Sequence, residues 1–473
     1  MKEKNRTLVK NMGLFTIGSF GSKILSFLLV PLYTAVLSTA EYGSIDLMTT
    51  TSSLLTPILL LSIFDATLRF GMDPNYESKD VLSTSVNIAI KGSVLMIIGV
   101  VIAYIFNIIS IERKYLIFLC IYFILGAFSN IFNLYLRGKN KAAVIAVSGI
   151  ICTFVMCISN IILLLVFKMG IMGYMVSNTI SILIQNVYQV YFGKIYKDMK
   201  LFHYKDLSKP MIKYSFPLIA NSVSWWINNA SDRYILTFFR GIAENGIYSV
   251  SYKIPTILTM FQGIFFNAWS ISAISEFDEN DTDGFIGKNY SLYTFISLLI
   301  CSGLLIINKP LASFLYKGNY FDAWKCVPFL LMGTVFSGIS QFEGSLFAAM
   351  RDTKSVAKTT IIGAIVNTIC NIVFIYFIGS IGAAFATLLG YTITWWLRTR
   401  YLQKNINMEV NWLIHYISIL LVVIQSIFAA MGCLIIIQIF LLVIVVLLNK
   451  QYFIKVINII SRKDRFTYGR KGI

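Results

Sequence analysis

Apolar stretches of roughly 20 residues recur along this chain from Met12 to Leu448, separated by short polar clusters. An α-helix needs about 20 apolar residues to cross a hydrocarbon core of ~30 Å. Lipid offers the backbone no hydrogen-bond partners, so a crossing segment must satisfy its own amides and carbonyls, as a helix does. The repeated length therefore predicts an all-α polytopic membrane protein with about fourteen transmembrane helices. Fourteen such helices use roughly 280 of the 473 residues. The connections must then be short, and no polar block is long enough for a large extramembrane domain. A soluble enzyme is excluded. Only 13% of residues are charged, about half the share in a soluble domain, and the mean hydropathy is +0.74.

The net charge is +18. Its distribution points to membrane orientation rather than to nucleic acid, because the basic residues sit between apolar stretches. Threading the helices from 11–37 to 433–449 places 29 of the 40 Lys and Arg on one face and 7 on the other. The positive-inside rule makes the first face cytoplasmic and puts both termini there. The acidic segment 276–283 also falls on that face, but Asp and Glu contribute little to orientation. The first apolar run is too long for a secretory leader and lacks a small-residue cleavage site, so it reads as a crossing. Seven cysteines with no CxxC pair, all in or beside apolar runs, read as reduced small hydrophobes.

Four features recur in order. Ala40-Glu41-Tyr42-Gly43 is matched by Ala243-Glu244-Asn245-Gly246, and Arg137-Gly138-Lys139-Asn140-Lys141 by Arg351-Asp352-Thr353-Lys354. Gly170-Ile171-Met172-Gly173 is matched by Gly379-Ser380-Ile381-Gly382, and Asn160 by Asn371. The offsets lie between 203 and 214 residues. Each copy holds an even number of helices, so both copies share one orientation, the parallel repeat of many transporters. The predicted organisation is a six-helix lobe over 1–192, a basic cytoplasmic linker over 193–213 and a second six-helix lobe over 214–400. Residues 401–473 add two helices and a basic tail.

The A-E-Y-G turn, the R-G-K-N-K loop and the segment Asn367 to Thr387 resemble polysaccharide repeat-unit flippases. These form the Wzx-type branch of the multidrug/oligosaccharidyl-lipid/polysaccharide exporter superfamily. The resemblance covers essentially the whole chain. It implies transport of a lipid-diphosphate-linked oligosaccharide across the bacterial plasma membrane for capsule, O-antigen or a related polymer. It also implies a V-shaped cavity lined mainly by helices one, two, seven and eight. The expected partners are that substrate, membrane lipids and the polysaccharide polymerase machinery, with no nucleic acid. The alternative is a cation-coupled multidrug exporter of the same superfamily.

Ionisable groups inside a bilayer are expensive, about 2.5–3.5 kcal/mol each on insertion scales. Lys23, Lys91, Arg233 and Lys253 fall inside predicted helices, and Lys23, Arg233 and Lys253 fall on helices that the resemblance places around the cavity. They are the candidate ligands of a diphosphate; the plainer reading is snorkelling or pairing with a carboxylate. Asp46, Asp65 and Arg69 lie towards the ends of helix two, and Glu343 in helix ten. Trp225, Trp226 and Tyr252 are candidate stacking partners for sugars, or members of aromatic belts. Asp232, Asn367, Asn371 and Thr387 are candidate sodium ligands by the resemblance, with the two asparagines otherwise serving as interhelical hydrogen-bonding groups. No cofactor is expected beyond Na+ or H+ as coupling ion. No GxxxxGK[ST], HExxH or GxSxG motif occurs, so no enzymatic activity is expected.

Overall fold

The computed structural model describes residues 21–106, 112–199, 205–432 and 435–458. Among them there is no strand. Every apolar segment read from the sequence falls on a described helix, the first through its part from Gly21 onward, 82–109 through its part up to Ile105 and 433–449 through its part from Ile435 onward, the remainders lying outside the described residues. By length and apolarity alone, six of these helices qualify as membrane spans, or nine if each of three bent pairs counts as one.

The chain divides into two compact units. The first comprises residues up to Thr237 together with Gly241–Gly246, and the second comprises Phe238–Arg240 and Ile247 onward. Most of the segment 214–239, the seventh helix read from the sequence, therefore packs with the first unit.

In the first unit the helices are α1 (Gly21–Val36), α2 (Thr39–Leu59), α3 (Ile63–Gly71), α4 (Ser78–Ile105) and α5 (Arg113–Gly138). They are followed by α6 (Ala142–Val166), α7 (Gly170–Phe192), α8 (Ile195–Asp198) and α9 (Lys205–Arg240) as far as Thr237. The start of α10 (Ile242–Ser251) completes the unit.

The A-E-Y-G turn has a direct physical origin. Ser38 caps α2, its hydroxyl accepting from the Glu41 amide at 3.3 Å while its own amide donates to Glu41 Oε2 at 2.8 Å. This reciprocal pair satisfies two otherwise unpaired donors at the helix start. Glu244 sits likewise in the first turn of α10. Pro57 precedes a 57° bend between α2 and α3, where Leu61 and Ser62 adopt left-handed backbone. A proline removes one helical hydrogen bond and crowds the preceding turn, which weakens the helix at that point.

The second unit runs through α11 (Pro255–Ser275), α12 (Phe285–Ile306), α13 (Asn308–Leu315), α14 (Val327–Ala349) and α15 (Thr353–Asn405). It continues with α16 (Trp412–Ala430), α17 (Ile435–Leu448) and α18 (Lys450–Asn458). Its core is aromatic, with Trp269 stacked on Phe342 at 3.9 Å between ring centroids. Glu343, fully buried, accepts from Thr399 Oγ1 at 2.6 Å and from the Tyr290 hydroxyl at 3.1 Å. The helix α15 is broken at Ile378-Gly379, the boundary between the segments 357–378 and 380–398 that the sequence reads as separate helices. Arg240 donates to the carbonyls of Ile375, Tyr376 and Phe377 at 2.8–3.1 Å and so caps the first half of α15.

The repeat holds at the level of backbone conformation. Gly170 and Gly379 both have positive φ, +54° and +58°. In the second loop pair the left-handed residues are Asn140 and Arg351, with φ of 54° and 59°, so the backbone pairs Arg351 with Asn140 rather than with Arg137. Asn160 and Asn371 are both fully buried, each with a side-chain oxygen that has no hydrogen-bond partner among the described residues.

Candidate functional site

Polar residues of α2 recur at positions 46, 50, 53 and 56, one face of a helix, and α9 carries 222, 226, 229 and 233 in the same way. These two stripes meet in the first unit. Arg233 Nε lies 3.0 Å from Asp46 Oδ2, with both side chains less than one-fifth exposed. The Nε–H is not aimed at that oxygen, so the contact is a charge pairing rather than an aligned hydrogen bond. Asn245 Nδ2 donates to the same carboxylate at 3.3 Å and to the Gly43 carbonyl at 3.2 Å. Further along, the Trp226 indole donates to the Thr50 carbonyl at 3.0 Å, and the hydroxyls of Thr51 and Tyr234 are hydrogen-bonded.

Beyond this seam opens a cleft of about 310 Å³. From α9 it is lined by Asn221, Ser222, Trp225 and Trp226, and from α5 by Asn130. The bend at Pro57 brings Ser53 and Thr56 of α2 and Phe64 of α3 to its other wall. Trp225 is 66% exposed. The Trp226 ring is fixed by its bond to Thr50 and by the Tyr234 ring, 5.4 Å away between centroids.

The structure thus brings Trp225 and Trp226 into one cleft and places Arg233 two turns along the same helix, already balanced by Asp46. Lys23 on α1 and Lys91 on α4 are exposed, make no side-chain hydrogen bond or ion pair among the described residues, and do not line the cleft. Asp232 is buried, and its Oδ1 accepts from the Arg233 amide at 2.9 Å.

In the second unit, Lys253 lies half-buried in the break between α10 and α11, without a side-chain partner among the described residues. Tyr252 and Tyr248 join their hydroxyls at 2.8 Å, and Tyr248 reaches Thr387 Oγ1 at 3.3 Å. Asn371 Nδ2 donates to Asn367 Oδ1 at 3.0 Å. That bond lies within one helix, and it leaves Asn371 Oδ1 as a buried oxygen with no partner among the described residues, suited to a hard cation. No group of three or more His, Cys, Asp or Glu able to hold a metal occurs among the described residues.

Sequence reasoning missed Asn130, Asn221 and Ser222 as site residues. Asn221 and Ser222 could have been found one turn before Trp225 and Trp226 on the same face. Asn130 carries no such signal, because only the packing of α5 brings it there.

The family described as "Polysaccharide biosynthesis protein" matches residues 8–269. The chain is 20% identical over 228 residues to a probable low-salt glycan biosynthesis flippase, Agl15, of Haloferax volcanii, covering 46% of this chain and 47% of the relative. The chain spans about half the length of the curated relatives it matches. Its fold is similar to that of the lipid II flippase MurJ in an inward closed conformation, with a TM-score of 0.69 and 17% identity over 94% of this chain and 99% of that one. It is also similar to an inward-facing multidrug resistance MATE transporter of the MOP superfamily, with a TM-score of 0.60 and 12% identity over 81% of this chain and 96% of that one. The family match takes in more than half of the sequence, and the MurJ and MATE likenesses extend the same fold over the remainder: this chain belongs to the polysaccharide biosynthesis protein family.

Proposed function

We propose that this protein is a flippase. It carries a lipid-diphosphate-linked oligosaccharide repeat unit from the inner to the outer leaflet of a bacterial plasma membrane, by alternating access, for the synthesis of a surface polysaccharide. It performs no covalent chemistry on its cargo, and a Na+ or H+ gradient supplies the driving force. Family membership and the named glycan flippase among its relatives support this reading.

The observation that carries the anionic part of the substrate is the state of the lysines. Lys23, Lys91 and Lys253 lie within or between apolar helices and have no carboxylate partner among the described residues. An ammonium in such a place costs about 2.5–3.5 kcal/mol on insertion scales, and a passing diphosphate offsets that cost. Lys23 in the first unit and Lys253 in the second are each, separately, a cation that a passing diphosphate meets.

The test is export of surface polysaccharide in cells in which this protein is replaced by variants. Lys23→Ala and Lys253→Ala are each expected to reduce export at least tenfold while the protein still inserts, and Lys23→Arg to retain part of it. Loss of export should leave lipid-linked glycan accumulated on the inner leaflet. Normal export by a well-expressed double variant would reject the cationic path. If the same cells then gained resistance to cationic drugs, the multidrug reading would replace it.

A further inference from the structure

Among the described residues, no ionisable side chain lines the cleft between α2, α3, α5 and α9. That sets it apart from the lysines and excludes it as a diphosphate site, since a buried dianion without a counter-charge is strongly disfavoured. A cationic drug finds no carboxylate there either.

What the cleft does offer is hydrogen-bonding capacity that the fold leaves unspent. Ser53 and Thr56 donate to the Thr50 and Ser52 carbonyls at 2.7 Å, which leaves their oxygens free only to accept. Asn130, Asn221 and Ser222 make no side-chain hydrogen bond among the described residues. Each amide presents two donors and an acceptor, and the Ser222 hydroxyl presents one of each. Leaving such groups unmatched against an apolar ligand is disfavoured. Beside them stands Trp225, 66% exposed, a broad apolar face on a membrane helix.

A pyranose ring answers this arrangement. Its axial C–H face is apolar and stacks on an indole, while its equatorial hydroxyls both donate and accept. The volume of about 310 Å³ is at the small end of ligand pockets, roughly 300–1,000 Å³, which suits one or two rings rather than a whole lipid-linked glycan.

We propose that this cleft is a sugar subsite that holds one or two uncharged pyranose rings of the cargo. Trp225 stacks on a ring face, and Asn130, Asn221 and Ser222 bond its hydroxyls. Trp226 is a positioning residue: its N–H is spent on Thr50, so it shapes the wall without bonding the sugar. The assignment rests on the flippase reading and divides the labour within it, with lysines for the diphosphate and neutral amides for the glycan.

The experiment is saturation-transfer NMR on the full chain in lipid nanodiscs, with maltotriose and chitotriose as neutral probes and inorganic diphosphate as competitor. Saturable transfer to ring C–H protons is expected for at least one oligosaccharide. It should persist between about 0.05 and 0.5 M salt, because no charge is involved. Diphosphate should not displace the sugar, and Gly99→Ala, away from the cleft, should bind it as the unmodified protein does. Trp225→Ala and the double variant Asn130→Ala, Asn221→Ala should each weaken binding at least tenfold. These side chains are exposed, so their removal leaves the packing intact, and melting temperature confirms that. The proposal is overturned if neither oligosaccharide binds, if both variants bind as tightly as the unmodified protein, or if diphosphate competes. The flippase reading fails separately, through normal surface glycan and no inner-leaflet accumulation in cells lacking the protein.

Discussion

Gly43 and Gly246 occupy equivalent positions in the two copies of the repeat, and their backbones meet. A Cβ added to Gly43 would collide with the Ile242 carbonyl and lie 2.9 Å from the Gly246 nitrogen. One added to Gly246 would collide with the Thr39 carbonyl and lie 3.1 Å from the Gly43 nitrogen. Each glycine is thus required by the other copy's helix start. Gly43→Ala and Gly246→Ala should each destabilise the protein by about 1–3 kcal/mol, the usual cost of overpacking. Gly99→Ala, with nothing within 4 Å of the new Cβ, should be neutral or slightly stabilising. Thermal melting of the detergent-purified variants separates the two cases.

The Asp46–Arg233 pair ties α2 to α9 inside the first unit. Removing either partner leaves the other charge in a largely desolvated place. A double-mutant cycle with Asp46→Asn and Arg233→Gln should return a coupling of about 1–3 kcal/mol, discounted from a fully buried pair because both side chains retain some solvent contact. Coupling indistinguishable from zero would make the contact incidental.

Coupling to an ion gradient is expected to depend on Asn367, Asn371 and Thr387 of the second unit if sodium is the driver. Asn371→Ala should then abolish the response of proteoliposome flipping to a sodium gradient. Flipping that ignores sodium in the unmodified protein and follows a pH gradient instead would assign the role to protons.

The distribution of basic residues predicts that the 193–213 and 351–356 loops and both termini are cytoplasmic. A cysteine replacing Lys205 should resist an impermeant thiol reagent applied to intact cells and react after the membrane is opened. Ready labelling from outside would invert the topology.

Two carboxylates outside the membrane give the stability a pH dependence. Hydrogen bonds from the Thr282 amide, the Thr282 hydroxyl and the Asn280 amide hold Asp278 below the usual carboxylate range. Ser355 and Tyr401 do the same for Asp352. A lowered folded-state value means that the stabilisation is complete above the unfolded-state value, about 4, and is lost as pH falls through the folded-state values. The melting temperature should therefore be flat from about pH 7 to about pH 5 with respect to these groups and decline below about pH 4. The decline should be shallower in Asp278→Asn, Asp352→Asn.

Much of this protein is written along the chain because its solvent is lipid. Helix length, helix identity and the break at Gly379 follow from apolar run length and from glycine's tolerance of positive φ, both local properties. The repeat was legible for the same reason: Glu41 and Glu244 open helices, while Gly170 and Gly379 turn them, wherever the copies lie. Partnership is not local. Asp232 adjoins Arg233 in sequence, yet the arginine's charge partner is Asp46, 187 positions away, because a helix turns neighbouring side chains about 100° apart. Asn130 became part of a cleft with Trp225 only through the packing of α5 against α2 and the bend after Pro57. Composition and spacing determined that this is a bundle of membrane helices with charges that need a reason. Tertiary packing alone decided which of those charges neutralise each other and which polar groups remain for a ligand, since both depend on distances between residues that the sequence keeps far apart.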